Sequence, residues 1–477
     1  MDTQTRSISK ADLSGLRCDR EVGVVKTLSP AEPLPAILPK QNILMLMPPA
    51  PFSPAIADSS GTGSTPSSSP AVTFAAAVTG DVVAGAVAPS AGPPAAVAVL
   101  HLVNGQHFAG AERVQSHLGR CLPAYGVQAD FACLKPGRFA DAVDAAKETW
   151  GQAYRFAMRN RFDISVVPAV AQRVREGRYG LLHAHTPRSA MIASLVSRRT
   201  GVPWVYHVHS PAARDSSRPL SNWFNATMER WSLRNCSHLI TVSDSLRREL
   251  IAAGERPDRV TVIRNGVPGI RHDRQWYPQA GGSWVFGMVA LMRPRKGLEV
   301  ALDAIAILRK QGHDAMLRCI GPFESDDYRR GIESRIDSLG IRPFVETLGF
   351  KSDVPHALAQ LDAMLLPSLY GEGLPMVVLE AMASALPVVA TRVEGTPEAI
   401  RDRIDGLLAE PGSAESLATQ MRELMSGQVD WHAMGQSAFA RHAEHFSDFA
   451  MSEGIACVYR KVIAQTLRGG RRQITIS

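Results

Sequence analysis

LLPSLYGEGLPMVVLEAMASALPVVATRVEGTPEA, residues 365–399, is the segment that decides the fold of this chain. A short apolar run, Ala363–Leu366, predicts a buried strand, and Val388–Ala390 predicts the next one. Between them, Pro375 is suited to the first position of a helix that continues to about Ala385. The order strand, glycine loop, helix, strand is one parallel crossover, so we expect an α/β fold.

The loop in this crossover has the composition of a ligand site. Gly371 and Gly373 let the backbone approach a ligand, and the free N–H groups of a helix start favour an anion such as phosphate. Glu372 and Glu380 would repel phosphate but can accept hydrogen bonds from sugar or ribose hydroxyls beside it. The pattern therefore suits a sugar joined to a nucleoside through a diphosphate. The alternative is a solvated Glu372 and a Glu380 on a helix surface.

The two glutamates lie within Glu-Gly-Leu-Pro…Leu-Glu-Ala-Met-Ala…Pro-Val-Val-Ala, a pattern that resembles glycosyltransferase family 4. That family has the GT-B fold and consists of retaining transferases with nucleotide-sugar donors. The resemblance implies that Glu372 lies against the donor sugar and that Glu380 holds the nucleotide ribose. Ala385 and Glu394 stand where the family usually has glycine. We expect neither change to touch the two glutamates.

Bulk composition limits the class of protein. A length of 477 residues leaves room for two domains and a tail. The net charge of +7 suits anionic ligands or an anionic membrane face but is too diffuse to predict nucleic-acid binding. Six scattered cysteines without a Cys-x-x-Cys pair argue against a zinc site or a disulfide framework and fit a reducing compartment.

The chain divides into zones of different composition. Residues 1–95 are dominated by Pro, Ala, Ser and Gly, which predicts a disordered extension without a signal peptide or transmembrane helix. A weak Ala-rich anchor within residues 71–100 is the alternative. The remaining boundaries are an acceptor-side Rossmann-like domain at 96–267, a linker at 268–283, a nucleotide-sugar-binding Rossmann-like domain at 284–446, and a C-terminal helix with a basic tail at 447–477 that crosses back to the first domain.

Two features of the first domain suggest function. The loop before Arg113 resembles the family's Gly-Gly-Ala-Glu-Arg loop, with Ala109 in place of the first glycine, and the resemblance implies that Gly110 lies near the donor phosphates. The basic, aromatic segment Phe139–Gly177 reads as helical. It is either an ordinary amphipathic surface helix or a contact with acidic lipid.

Three histidines lie near strand ends in the same domain. His183 and His185 would share one face of a strand, but the sequence suggests no further ligand for a metal there. His209 ends a strand at the edge where open α/β sheets bind ligands. The family resemblance implies that His209 contacts the donor sugar beside the reacting carbon. The alternative is a structural hydrogen bond.

The second domain begins with a strand and a basic turn. Lys296 matches the family's Lys-Gly pair, whereas the family's arginine falls on Leu291, and Arg293 is the candidate substitute. A solvated basic turn is the alternative reading. There is no Asp-x-Asp sequence, the usual metal–diphosphate ligand of the other glycosyltransferase fold.

The sequence therefore predicts two Rossmann-like domains facing a central cleft, and a metal-independent, retaining glycosyltransferase that needs no cofactor. The expected acceptor is a glycan or lipid-linked glycan for cell-surface polysaccharide or glycolipid synthesis, in the cytoplasm or on the inner membrane face. A GT-B epimerase, a phosphorylase and a non-catalytic regulatory subunit remain alternatives. The predicted catalytic residues are His209, Arg293, Lys296 and Glu372, and the predicted donor-binding residues are Gly110, Gly371, Gly373, Leu374, Pro375 and Glu380.

Overall fold

The structure is a computed structural model that describes residues 97–106, 110–210, 230–270, 278–351 and 353–468. The predicted N-terminal extension, Ala109 and much of the predicted linker lie outside the described residues. Four of the described cysteines are free and buried, namely Cys121, Cys133, Cys236 and Cys319.

The described residues form two sheets whose strands are all parallel. The first has the order β3-β2-β1-β4-β5-β6-β7. Its strands are β1 Val97–Val103, β2 Val127–Cys133, β3 Ala153–Arg155, β4 Leu181–Ala184, β5 Trp204–Val208, β6 His238–Thr241 and β7 Val260–Val262. The second has the order β10-β9-β8-β11-β12-β13. Its strands are β8 Trp284–Val289, β9 Ala315–Ile320, β10 Val345–Gly349, β11 Ala363–Leu366, β12 Val388–Thr391 and β13 Leu407–Ala409.

Helices cover the sheets, as parallel crossovers require. Those of the first domain, called the N-domain, are α1 Gly110–Cys121, α2 Arg138–Ala145, α3 Lys147–Trp150, α4 Val167–Glu176, α5 Pro187–Thr200 and α6 Asp244–Ala252. Those of the second, called the C-domain, are α7 Leu298–Lys310, α8 Asp326–Leu339, α9 Val354–Ala359, α10 Met376–Ala383, α11 Thr396–Ala399, α12 Ala414–Met425 and α13 Trp431–His445. The last helix is α14 Asp448–Arg468.

The central strands of both sheets are buried because nearly all of their side chains are apolar. The central strand β11 reads AMLL and all four residues are buried, and β5 reads WVYHV with all five buried. In each sheet the strand order reverses once, between β1 and β4 and between β8 and β11. Such switch points leave a crevice at the carboxyl ends of the strands, where ligands bind. The prediction of two doubly wound Rossmann-like domains is confirmed.

The last helix packs against the N-domain. Tyr125 in the turn after α1 donates its hydroxyl to the carbonyl of Phe449 over 3.0 Å, and Arg460 donates to the carbonyl of Tyr125 over 2.9 Å. Arg120 of α1 forms an ion pair with Asp448, which is buried. These contacts fix α14 beside β1 and β4, which matters for the site below.

One secondary-structure prediction is wrong. The segment Phe139–Gly177 is not one helix, because α3 ends at Gly151 and β3 follows. Gly151 has φ +90, and a Cβ at this position would lie 1.9 Å from the carbonyl oxygen of Ala129. The chain turns there and continues as an edge strand beside β2. Among the described helices, none is both long and apolar enough to cross a membrane.

Candidate active site

A buried ion pair lies where the turn after β8 meets the loop after β11. Nζ of Lys296 lies 2.5 Å from Oε1 of Glu372, and Ser368 donates its hydroxyl to the same oxygen over 2.6 Å. The guanidinium of Arg295 lies 3.7 Å from that oxygen. Glu372 is only 5% exposed, so its negative charge is held by the two cations rather than by water. The structure thus brings two predicted catalytic residues into direct contact.

The contacts of Glu372 determine its protonation. Burial alone would raise the pKa of this carboxyl group, but the charge of Lys296 and the hydrogen bonds from Lys296 and Ser368 outweigh burial and lower the pKa. Glu372 is therefore an anion at neutral pH. An anionic carboxylate is a pure acceptor, as contact with sugar hydroxyls requires.

The loop Gly371–Pro375 brings the two domains together. A Cβ at Gly373 would lie 2.1 Å from the carbonyl oxygen of His209, so only glycine permits this approach. Leu374 is buried, and its carbonyl accepts a hydrogen bond from the Asn265 side chain over 3.0 Å. Pro375 precedes α10 by one residue rather than being its first helical residue. The loop is therefore held by the N-domain on one side and by the basic turn on the other.

The basic turn does not act as one unit. Arg295, which the sequence analysis did not select, donates to the carbonyl of Gly371 over 3.2 Å. Arg293 lies apart from that group, 3.7 Å from a carboxylate oxygen of Glu324. Leu291, at the position of the family's arginine, is 43% exposed. Arg293 therefore does not share the contacts of Lys296, and its catalytic role stays a prediction.

Glu380 faces the N-domain. Its Oε1 lies 2.7 Å from a guanidinium nitrogen of Arg113 on α1, and its side chain is buried. Burial raises the pKa of Glu380, and the charge of Arg113 opposes this only in part. Gly110, the first residue of α1, lies close to Met376, the first residue of α10. The two predicted donor-binding helix starts thus meet across the cleft.

Ala385 and Glu394, two of the three positions that lack the family's glycine, both have left-handed backbone. Ala385 has φ +51 and Glu394 has φ +32, a region that favours glycine. The carboxylate of Glu394 accepts a hydrogen bond from the backbone N–H of Glu372 over 3.2 Å. The expectation that neither change touches the glutamates is therefore wrong for Glu394. The backbone turn explains this, because it folds the β12–α11 connection onto the loop Gly371–Pro375, which is called the donor loop below.

A second carboxylate fastens the C-domain to the N-domain. Glu398 in α11 accepts hydrogen bonds from the backbone N–H groups of Asp244 and Ser245, each over 2.7 Å. These N–H groups belong to the first turn of α6, where a helix favours an anion. The sequence pattern contained Glu398, but its partners in α6 lie more than 150 residues away along the chain.

Among the described residues, five histidines lie together on the N-domain side of the cleft. His101 pairs with His183 in the register of β1 and β4, and His183 pairs with Val205 of β5. His185 and His207 lie one pleat further along, and His209 follows; because alternate residues share a face, all five lie on one face of the sheet. The sequence suggested no further metal ligand beside His183 and His185, whereas the fold brings His101, His207 and His209 next to them.

The histidines form hydrogen-bonded contacts and stacked pairs. His185 lies 3.0 Å from His101 through Nε2 and 3.1 Å from His209 through Nδ1. His207 is fully buried, stacks on His209 with 4.2 Å between ring centroids, and has no hydrogen-bond partner for either ring nitrogen among the described residues. Two triplets have ligand atoms within 4.8 Å of one another, namely His101, His183 and His185, and His185, His207 and His209. In His101, His185 and His209, however, the facing nitrogens already contact each other.

Two family models match parts of this chain. The family described as "Glycosyl transferases group 1" matches residues 270–441, and "Glycosyltransferase Family 4" matches residues 108–268. The structure of Anabaena Alr3699/HepE in complex with UDP-glucose has a TM-score of 0.65 and is 22% identical, covering 78% of this chain and 99% of that one. The chain has the GT-B fold, and two glycosyltransferase family models each match about a third of it.

Curated proteins similar to this chain are named as glycosyltransferases. The amylovoran biosynthesis glycosyltransferase AmsK of Erwinia amylovora is 31% identical over 199 residues, 40% of this chain and 48% of that protein. The UDP-Gal:alpha-D-GlcNAc-diphosphoundecaprenol alpha-1,3-galactosyltransferase of Escherichia coli is 22% identical over 345 residues, 68% of this chain and 86% of that protein. The chain spans about half the length of the relatives matched first, 48% and 56%.

Several residues of this GT-B site escaped the sequence analysis. A signal existed for the histidines, since His-x-His occurs at the ends of both β4 and β5, and adjacent parallel strands align such repeats. Arg113 stood in a recognised motif but was not assigned a role. Tyr459 in α14, whose hydroxyl lies 2.5 Å from Nδ1 of His183, had no signal.

Proposed function

We propose that this chain is a retaining, metal-independent glycosyltransferase that moves a sugar from a nucleotide-diphosphate sugar to a glycan or lipid-linked glycan acceptor in cell-surface polysaccharide or glycolipid synthesis. The observation that carries the proposal is the buried Lys296–Glu372 pair at the C-domain switch point, opposite His209. A carboxylate that can accept from sugar hydroxyls beside a cation that can meet a leaving diphosphate supports glycosyl transfer. Relatives named for amylovoran biosynthesis and for a diphosphoundecaprenol substrate support the class of acceptor.

The reaction breaks the bond between the anomeric carbon and the diphosphate oxygen and forms a bond from that carbon to the acceptor oxygen. The proton of the acceptor hydroxyl passes to the departing diphosphate. Negative charge grows on the diphosphate as its bond breaks, and Lys296 and Arg295 provide fixed positive charge in a site screened from water. Attack from the leaving-group face requires no protein nucleophile, in keeping with retention.

Each remaining residue has a role in binding. Glu372 holds sugar hydroxyls, Glu380 holds ribose hydroxyls, and His209 contacts the sugar from the N-domain. For Glu380 to accept a ribose hydroxyl, its contact with Arg113 must be shared or released. The guanidinium of Arg113, near Gly110, could then form an ion pair with the diphosphate.

The test is a transfer and hydrolysis assay with UDP-glucose, UDP-galactose and GDP-mannose, with and without EDTA. We expect turnover of one donor in EDTA, and NMR of the product should show the donor's anomeric configuration. A matched control is the exposed Glu415→Gln variant, which should keep wild-type turnover, whereas Glu372→Gln should lose it.

Two results would contradict the proposal. Loss of activity in EDTA that Mg²⁺ or Mn²⁺ restores would rule out the metal-independent mechanism. Binding of a nucleotide without turnover of any donor, in the presence of lipid-linked acceptors, would favour a non-catalytic subunit.

The proposal includes contact with an acidic membrane, made by the exposed segment around Phe162 and Ile164 rather than by a long helix. Phe162 and Ile164 are 45% and 56% exposed, and Arg159 and Arg161 precede them in the chain. Apolar side chains with arginines suit the interface of anionic lipid. Vesicles with phosphatidylglycerol should retain the protein more than phosphatidylcholine vesicles do. The double variant Phe162→Ser/Ile164→Ser should lose this difference, while Ile404→Ser in the C-domain, at an exposed position, should keep it.

A further inference from the structure

A line of contacts runs from the last helix to the candidate active site. The Tyr459 hydroxyl lies 3.3 Å from Nε2 of His101, and Nδ1 of His101 lies 3.0 Å from Nε2 of His185. Nδ1 of His185 lies 3.1 Å from Nε2 of His209. Nδ1 of His209 makes no hydrogen bond within the described part of the chain. Tyr459, His101, His185 and His209, in this order, are called the histidine relay below.

The imidazoles of the relay are neutral. Burial lowers the pKa of His101 to about 3 and that of His209 to about 4, and it lowers the pKa of His185 below its usual range. A neutral imidazole has one N–H donor and one acceptor nitrogen. The contacts within the relay must therefore all point the same way, so only two proton arrangements satisfy every one of them.

Tyr459 selects between these two arrangements. Its hydroxyl has one proton and two neighbours, Nδ1 of His183 at 2.5 Å and Nε2 of His101 at 3.3 Å. Hydrogen bonds from a hydroxyl are shorter than those from a ring N–H. The proton therefore lies on the short contact to His183, and the tyrosine oxygen accepts from the Nε2–H of His101. Each following step is then fixed, since Nδ1 of His101 must accept from His185, and Nδ1 of His185 from His209.

We propose that the histidine relay holds His209 in the Nε2–H tautomer, so that its Nδ1 is a hydrogen-bond acceptor that reads a hydroxyl of the donor sugar. An acceptor nitrogen cannot bond to a phosphate oxygen, which is also only an acceptor. Tyr459, His101 and His185 are positioning residues that act through His209. The assignment of the ligand to a donor sugar rests on the proposed function, whereas the tautomer does not.

The relay explains why polar residues occupy this face of the sheet. Two buried imidazoles would each cost free energy without partners, yet His101 and His185 have both ring nitrogens engaged. A metal at either histidine triplet would need lone pairs that converge on one point. The contacts of His185 instead point to separate neighbours on its two sides.

The direct test is the tautomer of His209 in the full chain. Long-range ¹H–¹⁵N spectra of protein with ¹⁵N-labelled histidine show which ring nitrogen carries the proton, and a His209→Gln sample assigns the signals. We expect Nε2–H in the wild type and a mixture of both tautomers in Tyr459→Phe. The control is Tyr179→Phe, which removes a buried hydroxyl bonded to Asp130 instead and should leave the spectrum unchanged.

Kinetics supply the second readout. Tyr459→Phe should lower kcat/KM for the active donor on the order of 10-fold, as expected for a residue that orients another, with little change in the Kd of the free nucleotide. The double variant Tyr459→Phe/His101→Phe should lose no more than His101→Phe alone, because both changes interrupt one relay. Purely additive losses would indicate two separate structural roles and would overturn the relay.

Other results would also overturn it. These are an Nδ1–H tautomer in the wild type, an unchanged tautomer in Tyr459→Phe, or stoichiometric zinc in protein purified without a metal column. Failure of the proposed function is a different result. In that case no donor is turned over, yet the tautomer of His209 still depends on Tyr459.

Discussion

The two sides of the cleft differ in how they handle charge. On the C-domain side, cations and carboxylates are buried together, with Lys296 and Arg295 against Glu372. On the N-domain side, five of the described histidines are packed together, and none of their hydrogen bonds within the described residues is to a carboxylate. Burial lowers the pKa of each one, which keeps them neutral. In the proposed reaction, charged side chains suit the diphosphate half of the donor, which gains negative charge as its bond breaks. Neutral hydrogen-bonding groups suit the sugar half, which must be oriented, because hydrogen bonds between neutral groups do not depend on ionic strength.

The difference also teaches what a single substitution does. Removing one member of a buried ion pair leaves the other charge unpaired, which is costly. Removing one neutral imidazole leaves at most one or two unsatisfied groups, a smaller penalty. The substitutions below test whether the charged side is the more sensitive one.

The largest effect is expected for Lys296→Ala. Loss of the cation that meets the departing diphosphate should lower kcat about 10²–10³-fold, the range for one charge-stabilising group. The control is Lys310→Ala, an exposed lysine at the end of α7. A fully active Lys296→Ala enzyme would remove the basic turn from the active site.

The next largest effects are expected for the two glutamates, which should affect different quantities when substituted. Glu372→Gln should lower kcat about 10²-fold with little change in nucleotide affinity, because its contact counts most in the transition state. Glu380→Ala should instead weaken nucleotide binding, measured as Kd by calorimetry. Equal, mild effects of both on kcat and Kd would show that the two roles are assigned wrongly.

On the neutral side, His207 and His185 should differ in stability. His207 has no hydrogen-bond partner among the described residues, so His207→Leu should raise the free energy of unfolding by about 1 kcal/mol. His185→Leu leaves ring nitrogens of His101 and His209 without their hydrogen-bond partner and should lower the free energy of unfolding by about 2 kcal/mol. Urea unfolding measures both. A destabilised His207→Leu protein would mean that this ring has a partner of its own.

The buried glutamates should also respond to pH in opposite directions. The pKa of Glu372 is lowered in the fold, so its stabilisation is present above the unfolded pKa and disappears as the pH falls through the folded value. The pKa of Glu380 is raised, so its stabilisation is present below the unfolded pKa and disappears as the pH rises through the folded value.

Urea unfolding of the two glutamine variants from acid to neutral pH checks this. Glu372→Gln should be most destabilising near neutral pH and less so in acid. Glu380→Gln should be more destabilising in acid than near neutral pH. Parallel curves for the two variants would contradict the contrast between a paired carboxylate and a desolvated one.

The smallest effect is expected for Arg293→Ala. Arg293 lies near Glu324 and outside the group around Glu372, so turnover should fall less than about 10-fold. Arg295→Ala is the comparison, because Arg295 touches the donor loop. If Arg293→Ala were as damaging as Lys296→Ala, Arg293 would have taken the role of the family's missing arginine.

The sequence was informative where the site is local. The basic turn and the loop Gly371–Glu380 are short segments that follow adjacent strands, so both could be predicted and placed at one edge. The relay could not, since its members come from β1, β4, β5 and α14 and meet only through sheet register and helix packing. The helical prediction for Phe139–Gly177 failed for a similar reason, because the approach of Gly151 to Ala129 decides the path of the chain there.

Glu394 gives the donor loop an internal competitor. Its carboxylate occupies the N–H of Glu372, one of the donors that a phosphate would use. A ligand that needs this N–H binds with its intrinsic affinity reduced by the fraction of time that the N–H is open. We therefore expect Glu394→Gly to raise donor affinity, because a glycine there would both relax the backbone and remove the competitor.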